Sequence, residues 1–301
     1  MRTSKTSWYR EAEKLALLRR VPTKGQTGGS QSTDELAVHF IDSQMVTRLV
    51  TSETKIWDGA WNWQATADGI PLEPTTGWEE VCWHSDADVD YLELEQVLTN
   101  GWRLQRQMLL ARKDALLLLA DALLSPPAEQ AADSPSLEPY EIHHSAQFPL
   151  VQGISAVADK ESRELFLTKG KKKLALALPL ALSEWRSEYA PGNLTVEGDS
   201  LQLKTAGQGQ NLYAPLWLDL DPGRIRKPFT WRRLTVAEAL ATQPRDVAVG
   251  YRVQVGPQQW LVYRSVAAKG NRTVLGKNFA TEFVCCQFLA DGQTKDILEI
   301  Q

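Results

Sequence analysis

The chain has 301 residues, 43% hydrophobic and 23% charged, a globular composition with room for one large or two ordinary domains. A net charge of −4 argues against a general polyanion binder, which needs a basic surplus on some face. No stretch reaches the roughly 18 apolar residues of a membrane-spanning helix, and three cysteines without a CxxC are neither a disulfide framework nor a structural zinc site.

In chain order, Trp8 to Arg20 predicts a short helix, with Ser7 as N-cap and Ala12, Leu15, Ala16 and Leu18 at helical spacing. Charges interrupt this segment, so it is no secretory signal, and a cytoplasmic location is the expectation. A Gly/Ser-rich linker follows, so residues 1–34 form a leader to a β-domain spanning residues 35–301. From Leu36 the pieces become short and β-rich, and "ADG" before Ile70 is a hairpin turn.

The stretch "WRLQRQMLLARKDALLLLADALL", from Trp102 to Leu124, is ambiguous by composition. Its Leu, Ala, Arg, Gln and Met are helix formers, and β-branched residues are absent. "TNG" before it and "RKD" inside it are turn signals, however, and they divide it into two strands, the second fully buried. Residues 125–139 hold four prolines and read as a loop between two halves of the β-domain. Beyond them, "LTVEGDSLQLKT" and "YRVQVGPQQWLVYRS" are hairpins. "TWRRLTVAEAL" predicts a short helix, since Thr235 and Glu238 make a capping-box pattern. Many strands with Gly-rich turns and no helix-strand alternation give an all-β fold, a large multi-stranded sandwich.

Five tryptophans fall between residues 57 and 83: Trp57, Trp61, Trp63, Trp78 and Trp83. An indole face matches the C–H face of a sugar ring, although Trp also fills sandwich cores. Asp86, Asp88 and Asp90 alternate, but Tyr91 stands where a calcium loop needs glycine, so they read as a polar strand entry. His39, His84, His143 and His144 have no sequence neighbour that marks one as a catalyst. There is no GxSxG, no HExxH and no GxGxxG after a strand, and "GNRTVLGKN" has the wrong spacing for a phosphate loop and reads as a turn.

The order of pieces in "DYLELEQVLTNGWRLQRQMLLARKDALLLLADAL" resembles the β-sandwich region of heparinase II/III-like and alginate-lyase-type polysaccharide lyases. There a strand runs through a charged turn into an apolar strand ending in Asp, as the chain does at Asp121. The resemblance implies a supersandwich and a link to acidic polysaccharides. In those lyases a helical toroid before the sandwich supplies most of the active site, and here only about 35 residues precede the first strands. The family's His-Asn-Thr run is not found at His39, which is followed by Phe40 and Ile41, so no catalytic residue is carried over.

The expectation is therefore a carbohydrate-associated sandwich, non-catalytic by itself, that binds an acidic or neutral polysaccharide through Trp57, Trp61, Trp63, Arg224, Arg226, Arg232 and Arg233. No cofactor, metal, nucleic acid or membrane partner is expected. Two alternatives stay open: a lyase-like enzyme with a His or Tyr beside a basic residue in a cleft, and a structural or protein-binding role.

Overall fold

The computed structural model describes residues 14–20, 34–41, 44–127, 138–289 and 293–301. These form 26 strands in five antiparallel sheets, and the one helical turn among them is Thr99–Gly101. The central sheet has eight strands, in the order Ile154–Ala158, Leu165–Lys169, Lys172–Pro179, Asn211–Asp219, Leu116–Leu124, Arg103–Ala111, Val89–Val97 and Glu79–Ser85.

Trp102 to Leu124 is thus a strand pair, turned at Arg112–Ala115, and all nine residues of Leu116–Leu124 are buried. Side chains of a strand alternate faces, and here both faces are covered. Leu117, Leu119 and Leu123 point into a core with Leu104, Met108, Ile142 and Phe148. Leu116, Leu118, Ala120 and Ala122 point into a second core with Trp217, Val253, Trp260 and Val262. Burying a leucine side chain contributes roughly 1.5–3 kcal/mol, so a strand covered on both faces outweighs the helical preference of its residues.

The first core is closed by a four-stranded sheet (Lys14–Arg20, Asp34–Ile41, Gln44–Thr51, Thr54–Ala60) and by a five-stranded one. The latter runs Gly192–Glu197, Ser200–Gly209, Tyr140–Pro149, Asn62–Ala67, Ile70–Pro71, and is called the cleft sheet below. The second core is closed by Phe229–Leu234, Ala248–Val255, Gln258–Ser265, Phe283–Phe288 and Thr294–Ile300. The far face of that back sheet carries a small four-stranded sheet, packed through Val236, Leu261, Tyr263 and Val274. The result is a multilayered sandwich.

Turns fall where their chemistry demands. Asp68 and Gly69 take φ of 49° and 76°, and Asn100 and Gly101 take 58° and 75°, the left-handed region that Asn, Asp and Gly tolerate. Asp86 accepts the backbone N–H groups of Asp88 and Val89 at 2.7 and 2.9 Å, while Asp90 pairs with Arg112, so both serve the strand entry.

Two helix expectations are corrected. Lys14–Arg20 is a strand antiparallel to Asp34–Ile41, and the start of the expected helix, residues 8–13, lies outside the described residues. An edge strand offers a row of unpaired backbone groups, and satisfying them outweighs a weak helical pattern. Ala237–Glu238 pairs with Ala241–Thr242 in a tight hairpin, with Ala239 and Leu240 at φ of 48° and 67°. Glu238 receives Arg272 Nε at 3.1 Å instead of capping a helix. The Gly/Ser-rich linker and most of the Pro-rich loop, residues 21–33 and 128–137, also lie outside the described residues.

Candidate functional site

Strand Lys172–Pro179 pairs with Asn211–Asp219 only from Leu176 to Pro179, opposite Leu216 to Asp219. After Leu180, whose N–H reaches the Pro215 carbonyl at 3.1 Å, the chain leaves the central sheet. Among the described residues, the half of the neighbouring strand from Asn211 to Tyr213 then has no strand on that side. This notch opens into a cleft of about 1640 Å³.

One side of the cleft is the outward face of the cleft sheet. Cross-strand register sets two rows there, Thr66–His143–Ala206 and Gln64–Ser145–Lys204. The other lining comes from the loop after Leu180, with Trp185 46% and Tyr189 89% exposed, and from Arg232, Arg233 and Arg245 of the back layer. Arg232 and Arg233 are exposed and form no ion pair among the described residues. Several acids in the lining are already engaged: Glu184 accepts from Thr230 and the Trp231 N–H, Asp246 accepts the Gln210 N–H at 2.8 Å, and Glu141 faces His143 at 3.1 Å.

Beneath the cleft sheet lies a buried ionic cluster. Asp121 receives Arg106 Nε at 2.7 Å and Nη2 at 2.9 Å, a bidentate fork, and His144 Nε2 donates to it at 3.0 Å. The Arg106 guanidinium lies 3.9 Å from the Trp61 ring centre and 4.9 Å from that of Trp78, and its Nη1 donates to the Trp61 carbonyl at 3.0 Å. Burial alone would raise the Asp121 carboxyl, but Arg106, with His144 beside it, holds it well below the usual carboxylate range. His144 lines the cleft, yet its side chain is buried and tied inward, so its place is structural.

On the other side of the central sheet a second polar chain crosses the core. The Tyr213 hydroxyl donates to Gln107 at 2.9 Å, Gln107 donates to Tyr91 at 2.8 Å, Tyr91 donates to Glu93 at 2.6 Å, and Glu93 pairs with Arg264 at 2.9 Å. Burial drives the Tyr213 hydroxyl well above the ordinary phenol range, which keeps it a neutral donor.

A smaller cleft of about 620 Å³ opens beside the start of Asn62–Ala67, which the short edge strand Ile70–Pro71 does not reach, lined by Trp61, Trp63 and Trp78 together with side-chain amides. The sequence candidates therefore scatter. Trp57 is wholly buried, 5.1 Å from the Phe148 ring, and offers no face to a ligand. Trp61 is 3% exposed and Trp63 half-buried, both in the smaller cleft. Arg224 is buried, bound to Asp219 at 2.6 Å and to Gln258 at 2.8 Å, which makes it a strut between central and back sheets. Arg226 is exposed but lines neither cleft. Only Arg232 and Arg233 reach the long cleft, where Trp185, Tyr189, Lys204 and Arg245, passed over in the sequence, join them. The signal for the first two was present: a Trp and a Tyr in the polar loop "SEWRSEYAPG", with no apolar periodicity to bury them.

This layered architecture matches solved structures. Over 80% of this chain and 40% of that one, it is similar to a mutant of the heparan sulfate lyase HepC from Pedobacter heparinus, with a TM-score of 0.50 and 10% identity. The unmutated HepC aligns with the same score and identity over 78% of this chain and 40% of that one. The likeness is one of fold. A heparinase III also aligns, with a TM-score of 0.49 and 9% identity, over 89% of this chain and 42% of that one. The chain spans about two fifths of the length of these structures. Its sequence matches no protein-family model and none of the curated proteins. No helix among the described residues is long and apolar enough to cross a membrane.

Proposed function

We propose that the long cleft binds an acidic polysaccharide. The observation that carries this reading is that exposed aromatic residues and exposed arginines line one open trough. Trp185 and Tyr189 stand in the same lining as Arg232 and Arg233. A glycan chain presents apolar C–H faces at intervals, interrupted by carboxylates or sulfates. Flat rings suit the first, and the planar guanidinium fork suits the second. The floor of Gln64, Thr66, Ser145 and Lys204 adds donors and acceptors for hydroxyl groups. Heparan sulfate lyase, whose fold the chain shares, acts on such a polymer by name, which supports the same reading.

Binding without chemistry is the form favoured here. The lyase alternative asks for a His or Tyr beside a cation, and His143 and Tyr189 do line the cleft with Lys204 and Arg232, so the test includes product formation. The purified chain is run through native gels containing neutral or acidic polysaccharides, with an Arg232→Ala, Arg233→Ala double variant alongside. Retardation only in the acidic gels, lost in the double variant, is the expected result. Equal mobility in every gel refutes the reading. Incubation with the retarding polymer, followed by ultraviolet absorbance for unsaturated uronate ends, separates binding from cleavage.

A further inference from the structure

We propose that the smaller cleft is a second, independent site for an uncharged sugar ring. It shares Gln64, Ala65 and Thr66 with the long cleft, but Gln44, Asn62, Trp63 and Gln96 line it alone, and it stands if the acidic-glycan reading fails. Its volume of about 620 Å³ falls within the roughly 300–1,000 Å³ of small-ligand sites.

The lining chemistry is opposite to that of the long cleft. Side-chain amides come from Gln44, Asn62, Gln64 and Gln96, and among the described residues the one charged residue in the lining is Glu73. A carboxylate or sulfate would meet no cation there and one like charge. An amide both donates and accepts, which is what vicinal hydroxyl groups require. The nearby cation, Arg106, stacks on the Trp61 ring and is already neutralised by Asp121. Trp63, half-buried at the rim, offers ring surface for the apolar face of a pyranose.

The backbone contributes as well. On its outer side, Asn62–Ala67 is covered only near its end, where Thr66 and Ala67 pair with Ile70–Pro71 and the Ala65 carbonyl takes the Leu72 N–H at 3.0 Å. Backbone groups of an antiparallel strand alternate between its two sides, so those of Trp63 point the same way as that carbonyl. Among the described residues they have no strand beside them, since the short edge strand Ile70–Pro71 pairs only with Thr66 and Ala67. One open residue is too short a template for an added peptide strand, but it suits a hydroxyl group.

The walls are also set before a ligand arrives. The Arg106 guanidinium fixes Trp61 and Trp78, and Gln44 Nε2 donates to Asn62 Oδ1 at 3.0 Å, which orients two of the amides. Gln96 is held by its own bond to the Thr76 carbonyl at 2.8 Å. Little ordering entropy is then lost on binding, which matters for a ligand as small as one ring.

The test is saturation-transfer NMR on the whole chain, with the methyl glycosides of glucose, galactose and N-acetylglucosamine as neutral probes and methyl glucuronide as the charged one. We expect transfer to ring C–H protons of at least one neutral glycoside, with a dissociation constant on the order of millimolar, and far less to the glucuronide. Trp63→Ala and Asn62→Ala should each weaken it, by roughly tenfold for the tryptophan. Asn62 is exposed, so its variant decides the matter if loss of Trp63 lowers stability. Silence from every neutral glycoside, equal transfer to the glucuronide, or full transfer in both variants overturns the proposal. So does transfer lost on stripping the long cleft with Arg232→Ala and Arg233→Ala, because the sugar then sits there. Gel retardation by acidic polysaccharide, measured on the same proteins, reports separately on the long cleft.

Discussion

Replacing Asp121 by Ala removes the one acid that neutralises a guanidinium in the middle of the first core. Arg106 and Asp121 have side chains 0% and 1% exposed, so water cannot take over. Three hydrogen bonds vanish, two from Arg106 and one from His144, and a buried charge is left without its partner. Breaking a buried pair from one side costs about 3–5 kcal/mol. At about 2–4 °C per kcal/mol for a large domain, Tm should fall by roughly 10 °C. Thermal unfolding by circular dichroism measures this, with urea unfolding as a check. The joint replacement Arg106→Met, Asp121→Leu exchanges the pair for apolar groups and should cost far less, because no charge is stranded. A pH arm tests the sign. The folded carboxyl lies below the unfolded value of about 3.9, so its stabilisation is complete above that value and is lost as pH falls toward the folded one. The stability gap between the natural chain and Asp121→Asn should therefore narrow below about pH 4. A cost under about 1 kcal/mol for Asp121→Ala, or a double variant as unstable as the single one, would mean that no buried charge is stranded.

Trp57→Ala should cost about 3–5 kcal/mol in urea unfolding while leaving gel retardation intact, since the ring is wholly buried. Gly192 takes φ of 144°, and a Cβ there would clash with the Lys204 carbonyl oxygen, so Gly192→Ala should lower Tm and loosen the cleft rim. Of the three cysteines, only half-buried Cys82 should react with a thiol reagent in the native chain, because burial raises Cys285 far up and Cys286 to about 12. All three should react in denaturant, and fast native labelling of more than one would contradict the packing.

The hairpins were legible because their turns carry residues that tolerate left-handed backbone, as Asp68-Gly69 and Asn100-Gly101 do. The two-strand reading of Trp102 to Leu124 rested on those turns, and composition alone would have made it a helix. Lys14–Arg20 and Ala237–Thr242 misled for the converse reason: apolar spacing and a capping box are local signals, and sheet pairing decided both. The ionic cluster was half visible. Asp121 interrupts a run that is otherwise apolar, and a charge inside a buried strand needs a partner. That the partners are each other and His144 depends on pairing across strands and stacking of two sheets, which spacing does not encode. The long cleft was the least legible, because it is assembled by the cleft sheet, the loop after Leu180 and the back layer, far apart along the chain.

The long cleft is proposed to hold an acidic glycan through its aromatic residues and arginines. Its most direct test is fluorescence anisotropy of an end-labelled acidic oligosaccharide titrated with the chain at low and high salt. Saturable binding is expected that weakens with salt, weakens further in the Arg232→Ala, Arg233→Ala variant, and loses affinity separately in Trp185→Ala. No binding at low salt, or an affinity indifferent to all three substitutions, would contradict it.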